Sequence, residues 1–261
     1  AACPDCGKRL VRFGLGTQRV EEELAATIPA LTPGETLLRI DSDTMRHAGD
    51  LHAALERFGD GRVKVLTGTQ MIAKGLDFPN VRLVGVVNAD TSIHMPDFRA
   101  AERTFQLVSQ VAGRCGRATG PDGSGTVVVQ SFHPDTPAIR LAARHEFDTF
   151  AAGELDDRRR ACLPPFRRLV RVILRDEDPD RVAEAARKTA AGLRGLAATG
   201  VEISEPAPCP IARVAGRFRW DLVLAADGPG PLQATLAAAR NAGTLTPGEA
   251  MAIDVDPASM G

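Results

Sequence analysis

Lys74, Asp77, Arg114 and Arg117 sit in two segments whose residue types and spacing could do chemistry on phosphates. The first is Thr67-Gly-Thr-Gln-Met-Ile-Ala-Lys-Gly-Leu-Asp-Phe-Pro-Asn and the second is Gln110-Val-Ala-Gly-Arg-Cys-Gly-Arg. A phosphoryl-transfer transition state spreads negative charge over its oxygens, and an arginine offered from a second domain stabilises it when the two domains close. Arg114 and Arg117 lie three residues apart, and the flanking glycines permit close backbone approach. Taken alone, Gly-Arg-Cys-Gly-Arg also fits a solvated helix end, where the helix dipole favours arginine. The Gly-Thr-Gln segment one strand earlier weighs against that bland reading.

These residues need elements to hold them. The apolar run 63–66 reads as a buried strand, which puts Thr69 and Gln70 at the strand end where ligands meet parallel sheets. Phe98, Ala101, Phe105, Leu107, Val108 and Val111 keep three- and four-residue spacing, so the spacing predicts a helix over 98–112 that brings Arg114 and Arg117 to one face. Around them, strands are predicted at 36–40, 63–66, 81–88 and 125–132, and helices at 19–28, 51–58 and 98–112. Such alternation predicts an α/β lobe over 8–135, with a parallel sheet covered by helices on both faces. Asp41 and Asp43 follow a strand end and precede a helix; a turn-capping role is favoured there over a nucleotide or DNA role. Nothing in the chain fits Gly-x-x-x-x-Gly-Lys-Ser/Thr, and no Asp-Glu-x-His box follows a strand. The chain by itself is therefore not expected to hydrolyse ATP.

Residues 136–165 read as a helical connection, with a helix over 139–162 stopped by Pro164 and Pro165. Arg158, Arg159, Arg160, Arg167 and Arg168 bracket that stop. They could hold phosphates, or they could pair locally with Asp156 and Asp157; sequence leaves both open. From 166 to 261 the pattern is strand, helix, strand, strand, helix, strand, at 169–174, 180–196, 201–211, 220–225, 232–242 and 250–255. That order fits a ferredoxin-like α+β domain. Within it Arg213, Arg217, Phe218, Arg219 and Trp220 interleave arginine with aromatics, a mix that can stack bases or grip an acidic peptide. An edge strand with alternate residues in solvent explains the same pattern.

Composition narrows the classes. The formal net charge is -1, so no global polycation announces nucleic acid and any such contact must come from local patches. Lysine occurs only at 8, 64, 74 and 188, which makes Lys74 unusual for this chain. No apolar run approaches the roughly 20 residues needed to span a bilayer, so no membrane partner is expected and a cytoplasmic location is the default. Cys3-Pro-Asp-Cys6-Gly is a zinc-type knuckle that supplies two of the four ligands of a closed tetrahedral site, so residues 1–7 read as the remnant of a zinc-binding region and the chain as a fragment. A redox role is the alternative, though no thioredoxin-like strand precedes it. Cys115, Cys162 and Cys209 are isolated and read as small buried residues.

The two opening segments resemble the last two motifs of superfamily 2 helicases. Gly16-Thr-Gln-Arg-Val-Glu-Glu-Glu-Leu, Arg39-Ile-Asp-Ser-Asp-Thr, Asp97-Phe-Arg-Ala-Ala-Glu-Arg-Thr-Phe-Gln-Leu, Leu163-Pro-Pro-Phe and Asp254-Val-Asp-Pro narrow the likeness. In order and over nearly the whole chain, they resemble the PriA family of bacterial primosomal replication-restart helicases. The resemblance implies a RecA-like helicase C-terminal lobe followed by a smaller ferredoxin-like domain. It implies an intact protein that uses ATP and Mg2+ to translocate 3′ to 5′ on DNA, recognises abandoned forks, and reloads the replicative helicase with primosome proteins and single-strand-binding protein. A non-catalytic fork-binding scaffold with a degraded first motor lobe is the competing class. By resemblance, Gln110, Arg114 and Arg117 sense the nucleotide, with Arg117 the arginine finger. Gly75 and Asp77 couple nucleotide to DNA, while Thr69, Gln70 and Lys74 touch single-stranded DNA. Arg219 and Trp220 are further candidates for DNA, and Cys3 and Cys6 are the final pair of a zinc site whose other ligands lie upstream. Gln18 and Cys115 depart from the family's usual Glu and Ala, and Asn88-Ala-Asp-Thr-Ser-Ile occupies a variable segment.

Overall fold

The structure, a computed structural model, describes residues 16–41, 44–45, 48–69, 72, 81–113 and 125–260. These residues form two compact units: one from the described parts of 1–93 and 102–147, the other from 94–101 and 148–260.

The first unit begins with α1 (Thr17–Thr27), β1 (Leu37–Ile40), α2 (Ala48–Gly59) and β2 (Val65–Gly68). β1 and β2 pair in parallel with Leu37 opposite Val65 and Ile40 opposite Gly68, so both strands end level. Leu37, Ile40, Val63 and Thr67 are buried, and α1 lies against both strands. Gly68 is dictated by this register. A Cβ there would stand 2.4 Å from the Ile40 carbonyl oxygen, which no side chain tolerates. From the last turn of α2, Arg57 donates to the Gly34 and Glu35 carbonyls at 3.0 Å each, tying helix to the turn before β1.

β3 (Leu83–Val86), α3 (Asp90–Ile93), α4 (Ala100–Ala112), β4 (Thr126–Val129) and α5 (Pro137–Ala142) follow. β3 and β4 form a second parallel pair, Leu83 opposite Thr126 and Val86 opposite Val129. The parallel pairing expected from the alternating pattern is thus present, in two separate ladders among the described residues. The predicted helix over 98–112 starts at Ala100, because Asp97 turns the chain immediately before it. Thr104, Phe105, Val108 and Val111 form its buried stripe, and Phe105 packs on Phe147 with ring centroids 6.0 Å apart.

Asp90, at the start of α3, is 1 % exposed. Its carboxylate accepts the Phe132 backbone N–H and the Ser131 hydroxyl, both at 2.9 Å, and meets His133 Nδ1 at 3.1 Å. Burial alone raises its pKa, but the Phe132, His133 and Ser131 hydrogen bonds outweigh burial and hold the group at about 2, below its ordinary 3.8.

The single helix expected over 139–162 is two. α5 opens with Pro137 at its first position, and α6 (Phe147–Arg160) begins only after His145 adopts a left-handed φ of 57°. The Leu163-Pro-Pro-Phe joint carries a cis peptide between Pro164 and Pro165.

In the second unit β5 (Arg168–Asp176), α7 (Pro179–Leu196), β6 (Glu202–Ile203), β7 (Ala207–Val214), β8 (Arg217–Ala226), α8 (Pro229–Asn241) and β9 (Met251–Val255) build an antiparallel sheet ordered β6-β8-β5-β9, with β7 also on β8. This is the ferredoxin-like arrangement that the element order predicts. Alternate residues Val170, Val172 and Leu174 of β5 and Leu222, Leu224 and Ala226 of β8 meet Val182, Ala186, Ala190 and Leu193 of α7 and Leu232, Leu236 and Ala239 of α8. Spacings of four, four and three along α7 keep one helical face on the sheet, and its alanines let the backbone come close. On the other sheet face Arg171 is 2 % exposed and ion-pairs with Asp221 at 2.6 Å. Burial, then the Asp221 charge, pushes the neighbouring Cys209 thiol up. The run expected over 201–211 is split at 204–206, where Pro206 cannot donate to a ladder, and the β7–β8 register shifts between Pro208 and Arg213.

Gly68→Ala should destabilise the first unit by about 2 kcal/mol, the scale of overpacking against backbone. Gly85→Ala, whose Cβ meets open space, should stay within about 0.5 kcal/mol; urea titration of both variants checks the ranking. Because the folded-state pKa of Asp90 lies below its unfolded value, its contribution is complete above 3.8 and is lost as pH falls towards about 2. Asp90→Asn should lower stability at pH 7 and flatten this acid limb in urea unfolding followed from pH 5 to pH 2; an unchanged limb would remove Asp90 as its source.

Candidate nucleotide and nucleic-acid interface

Parallel strands that end level expose their carboxyl ends together, and ligands of α/β sheets bind there. Asp41 and Thr69 are the residues that follow β1 and β2. Asp41 is buried and heavily bonded. Its carboxylate accepts the Thr17 hydroxyl at 2.7 Å and the Thr44 backbone N–H at 3.0 Å, and pairs with Arg39 at 3.2 Å. Thr44 returns the bond by accepting the Asp41 N–H at 3.1 Å. The residue therefore caps its own turn and fixes the first residue of α1, the role favoured on sequence; Asp43 lies outside the described residues. Thr69 is exposed beside it, its carbonyl accepting the Ile72 N–H at 3.2 Å. A hydroxyl on the surface at a sheet's carboxyl edge is available to a phosphate.

Gln110 is exposed in the last turn of α4, whose buried stripe fixes the helix rotation that leaves this amide on the surface. The Gly113 N–H still bonds to the Ser109 carbonyl at 3.0 Å, so the helix hydrogen-bond pattern continues to the residue before Arg114. Arg114, Arg117, Gly75, Asp77, Gln70, Lys74, Cys3 and Cys6 lie outside the described residues. Of the motor-lobe positions picked from sequence, Thr69 and Gln110 have described positions.

Arg219 and Trp220 do not share a face, because successive strand residues point to opposite sides. Trp220 and Phe218 pack against the helix-covered core, and the Arg187 guanidinium sits 5.8 Å from the Trp220 ring centroid. Arg213 instead stacks on Phe218 at 4.9 Å, beside a two-residue hairpin turn where Ala215 and Gly216 both have positive φ. Of the arginines around the Pro-Pro joint, Arg159 and Arg160 pair with Asp156 and Asp157 as the local alternative has it, and the others find different carboxylates. Arg158 meets Glu154 at 2.8 Å, Arg159 meets Asp156 and stacks on Phe166, and Arg160 meets Asp156 and Asp157. Arg167 meets Glu202 and Asp227, and Arg168 meets Asp256.

Sequence reasoning missed two carboxylate centres, Asp90 and Asp97. No spacing announces Asp90, whose partners lie about forty residues on. Asp97 stood inside the quoted Asp-Phe-Arg block, which served only as a family signature.

Residues 7–119 match the family described as "Helicase conserved C-terminal domain", and residues 159–258 match "Primosomal protein N C-terminal domain". The chain is 43 % identical over 223 residues to the replication restart protein PriA of Bacillus subtilis, covering 85 % of this chain and 27 % of that protein. It is 41 % identical to PriA of Treponema pallidum, covering 86 % and 33 %, and 36 % identical to that of Synechocystis, covering 99 % and 30 %. It thus spans about a third of the length of the curated relatives it matches. A helicase C-terminal lobe followed by a ferredoxin-like primosomal domain, matched across nearly the whole chain, places it in the PriA family.

Proposed function

We propose that the chain is the second motor lobe and terminal domain of an ATP-dependent DNA helicase that moves 3′ to 5′, recognises stalled or abandoned forks, and restarts replication by primosome assembly. The observation that carries this reading is the succession of the two matched domains, with the Gly-Thr-Gln-to-Asp77 and Gln110-to-Arg117 segments inside the first. Its domains are a zinc-region remnant over 1–7, a RecA-like lobe over 8–135, a helical connection over 136–165 and a ferredoxin-like domain over 166–261. The phosphate cradle and the magnesium ligands belong to a first lobe that this sequence does not contain, so ATP and Mg2+ would be held chiefly there.

In this reading Arg117 reaches the γ-phosphate when the lobes close, with Arg114 and Gln110 beside it. A guanidinium offers planar, permanently charged donors matched to phosphate oxygens, which suits charge that appears only in the transition state. Gly75 and Asp77 link nucleotide to the DNA track, and Asp77 accepts a ribose hydroxyl. Thr69, Gln70 and Lys74 hold the sugar-phosphate backbone of single-stranded DNA. The exposure of Thr69 at the carboxyl end of β2 supports its part of this assignment. Arg219 supplies charge to branched DNA from the terminal domain, from the face of β8 opposite to Trp220. Cys3 and Cys6 complete a zinc site with upstream ligands, where zinc supplies a structural tie. Single-strand-binding protein, primosome proteins and the replicative helicase are the protein partners, and the setting is the bacterial cytoplasm at the nucleoid. Among the described residues no helix is long and apolar enough to cross a membrane.

DNA-stimulated ATP hydrolysis by the full-length protein, with fork DNA, tests the reading. Arg117→Ala should lower turnover by about 10³-fold, the scale set by arginine fingers, while fork affinity is retained. Equal loss of turnover and affinity would make Arg117 a DNA clamp. Fork binding without turnover in the unaltered protein would establish the scaffold instead.

A further inference from the structure

Residues 94–101 lie inside the stretch matched to the helicase lobe, yet they cluster with residues 148–260. Contacts within that unit surround Asp97 and Phe98. One oxygen of the Asp97 carboxylate accepts the Arg99 N–H at 2.9 Å, closing an Asx-turn. Its other oxygen accepts the Ser259 hydroxyl at 2.9 Å and the Met260 N–H at 3.0 Å, from residues 162 and 163 positions away. Next to it, the Phe98 ring has the Arg99 guanidinium 5.5 Å and the Arg158 guanidinium 5.4 Å from its centroid, and Arg158 is itself held by Glu154. The Asp97 carbonyl then accepts the Ala100 N–H at 2.9 Å, so the turn runs straight into the first residue of α4.

We propose that Asp97 is a positioning residue: a two-sided latch through which residues 259–260 fix the first turn of α4, the helix that carries Gln110 and leads into Arg114 and Arg117. The latch stands on these contacts alone; the chemistry it serves rests on the function proposed above. A carboxylate suits the task because it has acceptor sites on both oxygens and charge-assisted bonds hold more firmly than neutral ones. A helix is stiff along its axis, and Gln110 lies about 15 Å along α4 from Ala100 at 1.5 Å per residue. Holding the first turn therefore limits the motion of the turns that follow it in the same helix. Misplacement by about 1 Å at the far end would be enough to cost up to about 10²-fold in rate.

Two variants of the full-length protein separate the two sides of the latch. Asp97→Asn keeps an acceptor for the Asx-turn but loses the charge and the second acceptor. Ser259→Ala with Met260→Pro removes both opposing donors and leaves Asp97 intact. Hydrogen exchange over 94–103 reads the latch directly, and steady-state kinetics with fork DNA reads its use. Each variant should lose exchange protection by about tenfold, the factor carried by one charge-assisted hydrogen bond. Each should also lower kcat about tenfold while the KM for ATP and the fork affinity hold, and the combined variant should be no worse than either. Unchanged protection, or losses that add in the combined variant, would overturn the latch. Altered protection with unchanged kcat would overturn its positioning role. If the unaltered protein shows no turnover, the helicase reading fails, and exchange still decides whether the latch exists.

Discussion

The first unit depends on how closely β2 approaches β1. Parallel strands lie about 4.8 Å apart, and where Gly68 faces Ile40 there is no room for a side chain on β2. This contact sets the register, and the register makes both strands end at the same level. Asp41 and Thr69 are brought to one edge by that alone. Asp41 then uses its bonds to draw in Thr17 and Thr44, so the start of α1 and the turn after β1 are fixed by a single buried carboxylate. Thr69 is left exposed. One residue thus turns its polarity inward to structure while its neighbour stays on the surface.

The second unit divides labour differently. Its helix-covered face is apolar throughout, from Val170, Val172 and Leu174 to Leu222 and Leu224. Its other face buries an ion pair, Arg171 with Asp221. Taking two charges out of water is costly, and their mutual attraction rarely exceeds that cost. What the pair adds is discrimination: a register slip of β8 by one residue would move Asp221 to the apolar face and leave Arg171 buried without its carboxylate. The apolar face drives folding, and the charged face rejects the wrong alignment.

Element types were legible wherever periodicity was strong. Val182, Ala186, Ala190 and Leu193 mark α7 unmistakably, and the strand-helix-strand-strand-helix-strand order of the second unit carried over to its sheet. Boundaries failed where a polar residue outranked the apolar pattern. Phe98 continues the stripe of α4 but lies before it, because the Asp97 side chain bends the backbone. His145 interrupts what reads as one long helix, since a histidine enters the left-handed region too rarely for its residue type to mark the break. Of the site, the strand end before Thr69 and the helix bearing Gln110 were readable. Asp90 and Asp97 were not, because long-range hydrogen bonds leave no spacing in the chain. Arg219 and Trp220 were read as neighbours in sequence, whereas a strand sends adjacent side chains to opposite faces.

The break in β7 has a consequence for solubility. An edge strand offers unpaired N–H and C=O groups on which another chain can polymerise. Here the irregularity between Pro208 and Arg213 interrupts the regular course that a second strand would need. Exposed Ile211 and Val214 sit on the same stretch and would otherwise make it sticky. The sheet carries its own stop signal against aggregation on this border, written in residues that contribute little to its core.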